Sequence, residues 1–525
     1  MRYDIKKTPA ILLVALLLGA FIGASAEAEG TVLKIGTPNV IKSPSFVGDT
    51  YMSVFAHLSN PPLMKMTPGG LVVGQTAESY EVSEDGETWR FLIRDDLYWS
   101  DGEKVTPDDV RFTFEYLGEK YPPAGWIKNT VDDISVDDSA VVFTLNKPYS
   151  RLNLEFATYN ILPEHIWKDI DDPMEHVDEG AIVGFGPFVI SKTDLAAGVL
   201  YFQGNPHWKG EAPNIDGVEI HMYGNMDVLS LALEKGDVDA YYKYAGTYPY
   251  ANLAKLEETG DFDFVETDNT GLIFLGLNLR EEPMADPAFR AALAHAINYQ
   301  EILKLDALDY GQIPNRGFVP PSMGYFKETD QLSYDSDEAN RILNEAGYKD
   351  VDGDGFLETP DGQEIDLTLL TRSDYQRITE LVQEYMASIG IKTEITTVDQ
   401  STWIKMKDDY QYDLTVTRTT PWGMMMHANW GTGYFDSRRT GEGVLHVLDD
   451  PSFLQLCDDI LAATTEEQLE SYAHQVQDYY AENLPGIALY WNKVEAPYNS
   501  NWQGWVSDPL YGIYNLDTFL NVEMA

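Results

Sequence analysis

Between Trp89 and Arg94 large apolar and basic side chains alternate, the period-two pattern of a strand with one buried face. Turn-forming residues bound it on both sides, Ser83-Glu84-Asp85-Gly86 before and Ser100-Asp101-Gly102 after. Thr106-Pro107-Asp108-Asp109 then predicts a helix start. A hydroxyl can cap the free N–H groups, proline fits the first helical position, and acids favour the first turn. Further along, Leu231 to Lys235 predicts a helix closed by Gly236, with Val238 and Ala240 entering a strand. Phe274 to Asn278 reads as a strand, and Arg290 to Ile297 as a helix with Phe289, Leu293, Ala296 and Ile297 on one face. His295 sits near that apolar stripe and is expected to be structural. Residues 339–348 and 378–391 have helical periodicity, and 392–398, 412–417 and 486–491 have strand character. Helices alternating with strands predict an α/β protein.

The amino-terminal pattern is different. Arg2, Lys6 and Lys7 precede an apolar run from Ala10 to Ala26 that ends in Ala24-Ser25-Ala26. This predicts an export signal over residues 1–26 with an A-x-A-like cleavage site, a retained membrane anchor being the alternative. No cysteine follows the run, so no lipoprotein anchor is expected. The sole cysteine, Cys457, lies in the apolar context Phe453-Leu454-Gln455-Leu456 and is expected to be a buried structural thiol. Stability must then come from packing, without an internal disulfide.

Charge narrows the function further. With 85 acids against 36 bases the formal net charge is −49. Such a surface repels phosphates, so nucleic acid is not an expected partner. The acids are spread along the whole chain, and salt must screen their mutual repulsion. The chain has no G-x-S-x-G and no H-E-x-x-H, and its nine histidines lack metal-ligand spacing. An enzyme is therefore not expected, a secreted hydrolase being the remote alternative.

Several segments carry a family likeness. The run from Ala77-Glu78-Ser79-Tyr80 to Phe112-Thr113-Phe114-Glu115 resembles the signature of the family 5 extracellular solute-binding proteins, the dipeptide, oligopeptide and nickel receptors of ABC importers. Gly184-Phe185-Gly186-Pro187-Phe188 and Asn205-Pro206-His207-Trp208 are similar to further segments of that family. So are Leu231 to Ala240 and the stretch from Phe274 to Ile297. The resemblance implies a two-lobed periplasmic-binding-protein-like fold (type II, the cluster of large peptide and nickel receptors) with a ligand cleft at a hinge. It places lobe I in residues 30–269 plus 489–525, with an extra subdomain inserted at roughly 71–185, and lobe II in 270–488. It further implies an exported receptor, extracellular or periplasmic at the outer face of the cytoplasmic membrane. Its partners would be a small peptide or metal-chelate ligand and the membrane permease of an importer.

Two stretches carry chemistry of their own. Asp350-Val351-Asp352-Gly353-Asp354-Gly355-Phe356-Leu357-Glu358 begins like an EF-hand calcium loop, with three acids at alternate positions and the Phe356 carbonyl at the seventh. The closing position holds Asp361 where a bidentate Glu is usual, and a strand pattern follows in place of a helix. A structural Ca²⁺ on Asp350, Asp352, Asp354, Phe356, Glu358 and Asp361 therefore stands beside a plain acidic turn. No cofactor is required.

The other stretch runs from Arg418 to Arg439 and is expected to line the cleft. It departs from the aspartate-bearing run of the peptide receptors, and its Arg418-Thr419 and Trp422-Gly423 are more like the nickel branch. Candidate ligand residues are Trp422, Met424, Met425, Met426, His427, Tyr434, Asp436, Arg438 and Arg439. Thioethers and indoles make an adaptable apolar surface, and an imidazole, His427 or His446, can hold Ni²⁺ in a transported chelate. The arginines suit a carboxylate, and Asp436 suits a peptide amino group. A peptide is the expected solute and a nickel chelate the alternative.

Overall fold

The computed structural model describes residues 30–525 except 174–175, 177–178, 245, 268–270, 420–429, 440–444 and 446. The apolar leader thus lies outside the described residues. Among those described, no helix is long and apolar enough to cross a membrane.

The chain opens with β1 (Val32–Thr37), then builds β2 (Ala77–Val82), β3 (Thr88–Ile93), β4 (Val131–Asp137) and β5 (Ala140–Leu145) into an antiparallel sheet of order β2-β3-β5-β4. The capped helix Pro107–Lys120 lies within this unit. Thr106 Oγ1 accepts the Asp109 N–H at 3.3 Å and Asp109 accepts the Thr106 N–H at 2.8 Å, the reciprocal bonds foreshadowed by the sequence. The chain then lays down β6 (Phe188–Asp194), β7 (Val199–Gly204), β8 (Gly217–Met222), β9 (Ala240–Tyr241) and β10 (Phe262–Thr267) beside β1. Between β8 and β9 the helix Met226–Lys235 ends at Gly236 with φ 73°, a left-handed turn that glycine adopts without strain.

The second lobe contains β11 (Leu272–Leu277), β12 (Gly311–Gln312), β13 (Asp366–Arg372), β14 (Lys392–Val398), β15 (Leu414–Arg418) and β16 (Gly486–Asn492). The chain finally returns to the first sheet as β17 (Val494–Asn499), giving the orders β10-β17-β9-β1-β8-β7-β6 and β12-β16-β11-β15-β13-β14. Because β16 runs to Asn492 within the second sheet, lobe II ends a few residues later than 488, the end predicted from the sequence.

The sheet of lobe II is covered on both faces. Leu275, Leu277, Leu369, Leu414 and Val416 enter one core, while Phe274, Leu370 and Ala488 enter another with Trp403, Tyr434 and Cys457. Two buried faces explain why β11 is uninterrupted apolar sequence where β3 alternates. Cys457 is buried, and burial pushes its thiol well above its ordinary value.

The inserted subdomain also touches lobe II. Ser150 N and Oγ donate to the carbonyls of Leu461 and Ile460 at 2.8 and 2.9 Å. The Arg151 guanidinium lies 5.1 Å from the Trp430 ring. Behind this contact Glu155 is buried and accepts the Tyr149 hydroxyl at 2.8 Å. Burial pushes its carboxyl up to about 7, against the opposing pull of Tyr149, Arg151 and Arg439.

The folded state therefore holds the Glu155 proton more tightly than the unfolded chain. The stability this group contributes is fully present below its ordinary value of 4.5 and is lost as the pH rises through about 7. His57 acts oppositely: burial lowers it from 6.5 to about 3, so its contribution is lost as the pH falls through that range. Glu155→Gln removes only the first effect. Its melting temperature relative to wild type is expected to climb between about pH 5 and about pH 8. A difference that stays constant across that range would mean Glu155 is already ionised in the folded protein.

Candidate functional site

Strand direction brings the site together. In lobe II β13 is parallel to both β14 and β15, so Arg372, Val398 and Arg418 end on one edge. Antiparallel pairing sets Ile273 opposite Arg418 and Leu272 opposite Trp491, so β11 begins and β16 ends on that same edge. In lobe I β1 runs parallel to β8 and β9, and Thr267 pairs with Val494 where the chain enters and leaves. The carboxyl ends of the parallel strands in both lobes therefore face the two crossovers, the edge at which α/β sheets bind ligands.

The crossing is braced by aromatic side chains. Tyr250 of lobe I stacks on Tyr310 of lobe II at 5.2 Å between centroids and donates to the Lys493 carbonyl at 2.9 Å. On the lobe II side the Tyr490 hydroxyl donates to Asp306 at 2.8 Å.

Three cationic side chains occupy the cleft edge. Lys243 follows β9 and is half-buried, and burial lowers its ammonium below the ordinary value. Arg418 adds to that lowering, and Asp374 opposes it. Arg418 and Arg372 terminate neighbouring strands. Arg372 lies over Tyr375 at 5.0 Å and over Trp403 at 4.9 Å, and donates to Gln400. Beside Lys243 a small open recess is lined by Tyr241, Tyr242, Tyr248, Thr267, Glu495 and Tyr514. The sequence pointed to neither Lys243 nor Arg372. Basic residues directly after apolar strands, in a chain so rich in acid, were the available signal.

The residues foreseen from the sequence divide into three groups. Trp422, Met424, Met425, Met426, His427 and His446 lie outside the described residues. Tyr434 belongs to the lobe II core, where its ring packs against Phe274 at 6.3 Å between centroids. Trp430, also buried, donates its indole N–H to the Gly324 carbonyl at 2.6 Å. Asp436, expected to meet a peptide amino group, is instead engaged by Arg438. It accepts the guanidinium at 2.9 and 3.0 Å and the Arg438 backbone N–H at 2.9 Å. Burial opposes ionisation of Asp436, yet these bonds hold its carboxyl below the ordinary value. Arg438, expected to hold a ligand carboxylate, also donates to Asp458 at 3.0 Å, and Arg439 lies 4.0 Å from Asp436. The physical reason is local: the turn after the short helix Thr432–Phe435 folds both arginines back onto the buried acid.

The acidic loop holds Asp350, Asp352 and Asp354 with carboxylate oxygens within 4.8 Å of one another, all exposed. Asp350 accepts the N–H groups of Gly353 and Gly355 at 2.6 and 3.1 Å. Glu358 is buried and accepts the Val351 N–H at 2.7 Å, while Asp361 is exposed and outside the three-acid group. The three clustered acids have the hard oxygen chemistry calcium takes.

Asp436→Ala would remove the buried acid and leave the exposed Arg438 guanidinium without its main partner. With the guanidinium open to solvent, losing the pair is expected to destabilise the fold by about 1–1.5 kcal/mol, read by denaturant titration. A stability within about 0.5 kcal/mol of wild type would show that the pair contributes nothing.

Comparison with known proteins agrees with this architecture. GsiB, a glutathione-binding protein of Salmonella typhi, is 27% identical over 401 residues, covering 74% of this chain and 73% of the relative. The oligopeptide-binding protein AppA of Bacillus subtilis, solved with a nonapeptide, has a TM-score of 0.76 at 20% identity, over 94% of this chain and 99% of AppA. NikZ of Campylobacter jejuni, solved with Ni(L-His), has a TM-score of 0.74 at 19% identity, over 91% and 96%. Residues 72–441 match the family model for bacterial extracellular solute-binding proteins, family 5, middle region, and the chain belongs to that family.

Proposed function

We propose that this protein is the exported receptor of an ABC importer and that its solute is a small peptide. One observation carries the reading: the carboxyl ends of both sheets meet across a twice-crossed hinge, with contacts between the lobes both at the hinge and at the subdomain. A solute held between them would be enclosed by lobe closure and presented to a permease. A glutathione-binding relative and a structural neighbour solved with a nonapeptide support a peptide as cargo. The leader of residues 1–26 supports export to the outer face of the cytoplasmic membrane. The second reading, a nickel chelate, is supported by NikZ with its Ni(L-His) and by the Arg418-Thr419 start of the following loop. The segment from Arg418 to Arg439 remains the proposed cleft wall.

Closure and cargo can be tested together. A bound peptide is expected to hold the lobes together, so small-angle scattering of the ligand-stripped protein should show a smaller radius of gyration on adding peptide. A radius unchanged at saturation would count against closure. If Ni²⁺ with L-histidine compacts the protein and peptides do not, the second reading replaces the first, and His427→Ala should then weaken binding most.

Calcium is proposed as a structural ion on Asp350, Asp352 and Asp354, with the Phe356 carbonyl completing the hard set. An ion bound only by the folded form adds roughly 2.7 kcal/mol at a hundredfold excess over its dissociation constant. Calcium is expected to raise the melting temperature of wild type and not of Asp352→Ala. Equal responses would reduce the loop to an acidic turn.

A further inference from the structure

The helix Pro451–Ala462 belongs to lobe II, yet its residues enter two cores. Phe453, Cys457 and Ile460 lie along one face and pack into the core of lobe II. Leu461, the next residue, is buried with the core that lobe I shares with the inserted subdomain, the one holding Trp89, Phe143 and Tyr149. The end of the helix is completed from the same side. Carbonyls of a last helical turn have no partner within the helix. The Thr464 N–H, which a further turn would bring to Ile460, goes instead to the Gln468 side chain at 3.0 Å. Ser150 of the subdomain supplies the missing donors, its Oγ to the Ile460 carbonyl at 2.9 Å and its N–H to the Leu461 carbonyl at 2.8 Å. Beside them the turn between β2 and β3 comes so close that a Cβ on Gly86 would lie 3.1 Å from the Thr464 methyl.

The subdomain is inserted in lobe I between β1 and β6, and the contact involves neither crossing strand, so it forms and breaks with the angle at the hinge. Parting the two surfaces exposes one leucine and leaves Ser150 and two carbonyls to water, which can satisfy them. Charge does not draw the surfaces together. Exposed acids stand on both sides, Glu84 and Asp85 on the turn and Glu466 and Glu467 after the helix, in a chain of net charge −49. Apolar insertion of Leu461 and the two directional bonds therefore work against a repulsion that favours opening. A contact balanced in this way is reversible.

We infer that the inserted subdomain is the latch of this receptor: when the lobes close, Ser150 caps the end of helix Pro451–Ala462, the subdomain core takes in Leu461, and the cleft is held shut. This rests on the receptor reading and gives the subdomain a task within it, whatever the solute.

The test uses the full chain, spin-labelled on the subdomain at Ser139→Cys and on lobe II at Glu470→Cys, two exposed positions outside the contact; the native Cys457 is buried. Pulsed electron resonance then gives the distribution of distances between the labels in the solute-free protein. Wild type is expected to populate the short distance that the contact sets. Leu461→Gln should lower the ratio of short to long distances at least about tenfold, the effect of losing one buried leucine. Thr464→Glu, whose side chain enters neither core, places a larger and like-charged group against the acidic turn and should shift the ratio the same way. Ser150→Ala keeps the backbone bond and should lower it about threefold. Melting temperatures confirm that each variant is folded, and Thr464→Glu decides if Leu461→Gln does not fold. The latch is overturned if wild type never occupies the short distance, or if its distribution is unchanged in Leu461→Gln and Thr464→Glu. The receptor reading stands in either case, since solute binding judges it. Failure of peptides and of Ni²⁺ with L-histidine to bind would count against that reading and leave the distances to judge the latch.

Discussion

Thr267 pairs with Val494 in one sheet, and just beyond them Leu272 pairs with Trp491 in the other. Both crossings of the chain thus leave from and arrive at paired strands, whose ends lie side by side. Two adjacent strand connections resist shear and permit bending, the property a hinge needs. Because the flanking strands are fixed by their ladders, the crossings also determine which edge of each sheet faces the other lobe. That edge is the one where the parallel strands end, so Lys243, Arg372 and Arg418 arrive there through strand direction alone.

The remaining contacts grade from rigid to separable. Lobe II is a sheet buried on both faces, and its aromatic and aliphatic layers leave little room for adjustment. The subdomain meets lobe II through two hydrogen bonds from Ser150, the Arg151 guanidinium over Trp430, and the buried Glu155 behind them. Polar contacts of this kind are directional and modest in net energy, so they can define one arrangement of the lobes without welding it.

Charge explains which chemistry belongs to the surface and which to the site. The acids that give a net charge of −49 are mostly exposed, and many pair with the few bases, as Arg341 does with Glu338 and Glu345. Arg438 follows the same rule, drawn to Asp436 and Asp458. Lys243 and Arg418 stand instead at the cleft edge, where their strands end.

The local grammar of the chain was legible in its sequence. The Thr106 cap, the Gly236 stop, the strand from Lys392 to Val398 and the family signature from Ala77 to Glu115 depend on neighbours within a turn or two, and propensity acts at that range. The alternation of helix with strand likewise gave the α/β class, and the family segments gave the two lobes. For the site the sequence offered only a candidate region. An apolar, arginine-bearing run after β15 could be singled out, but its individual side chains could not be assigned, because Asp436 and Tyr434 resemble ligand residues until their tertiary partners are known. Lys243 and Arg418 are far apart in sequence, and no periodicity links them. Their arrival at the same cleft edge depends on the register of two sheets and on the direction in which the chain crosses between them, quantities set by long-range pairing and core packing. The sequence by itself thus determined which elements form and what family they build, whereas the tertiary structure decided which charges are neutralised within the protein and which are left facing the cleft.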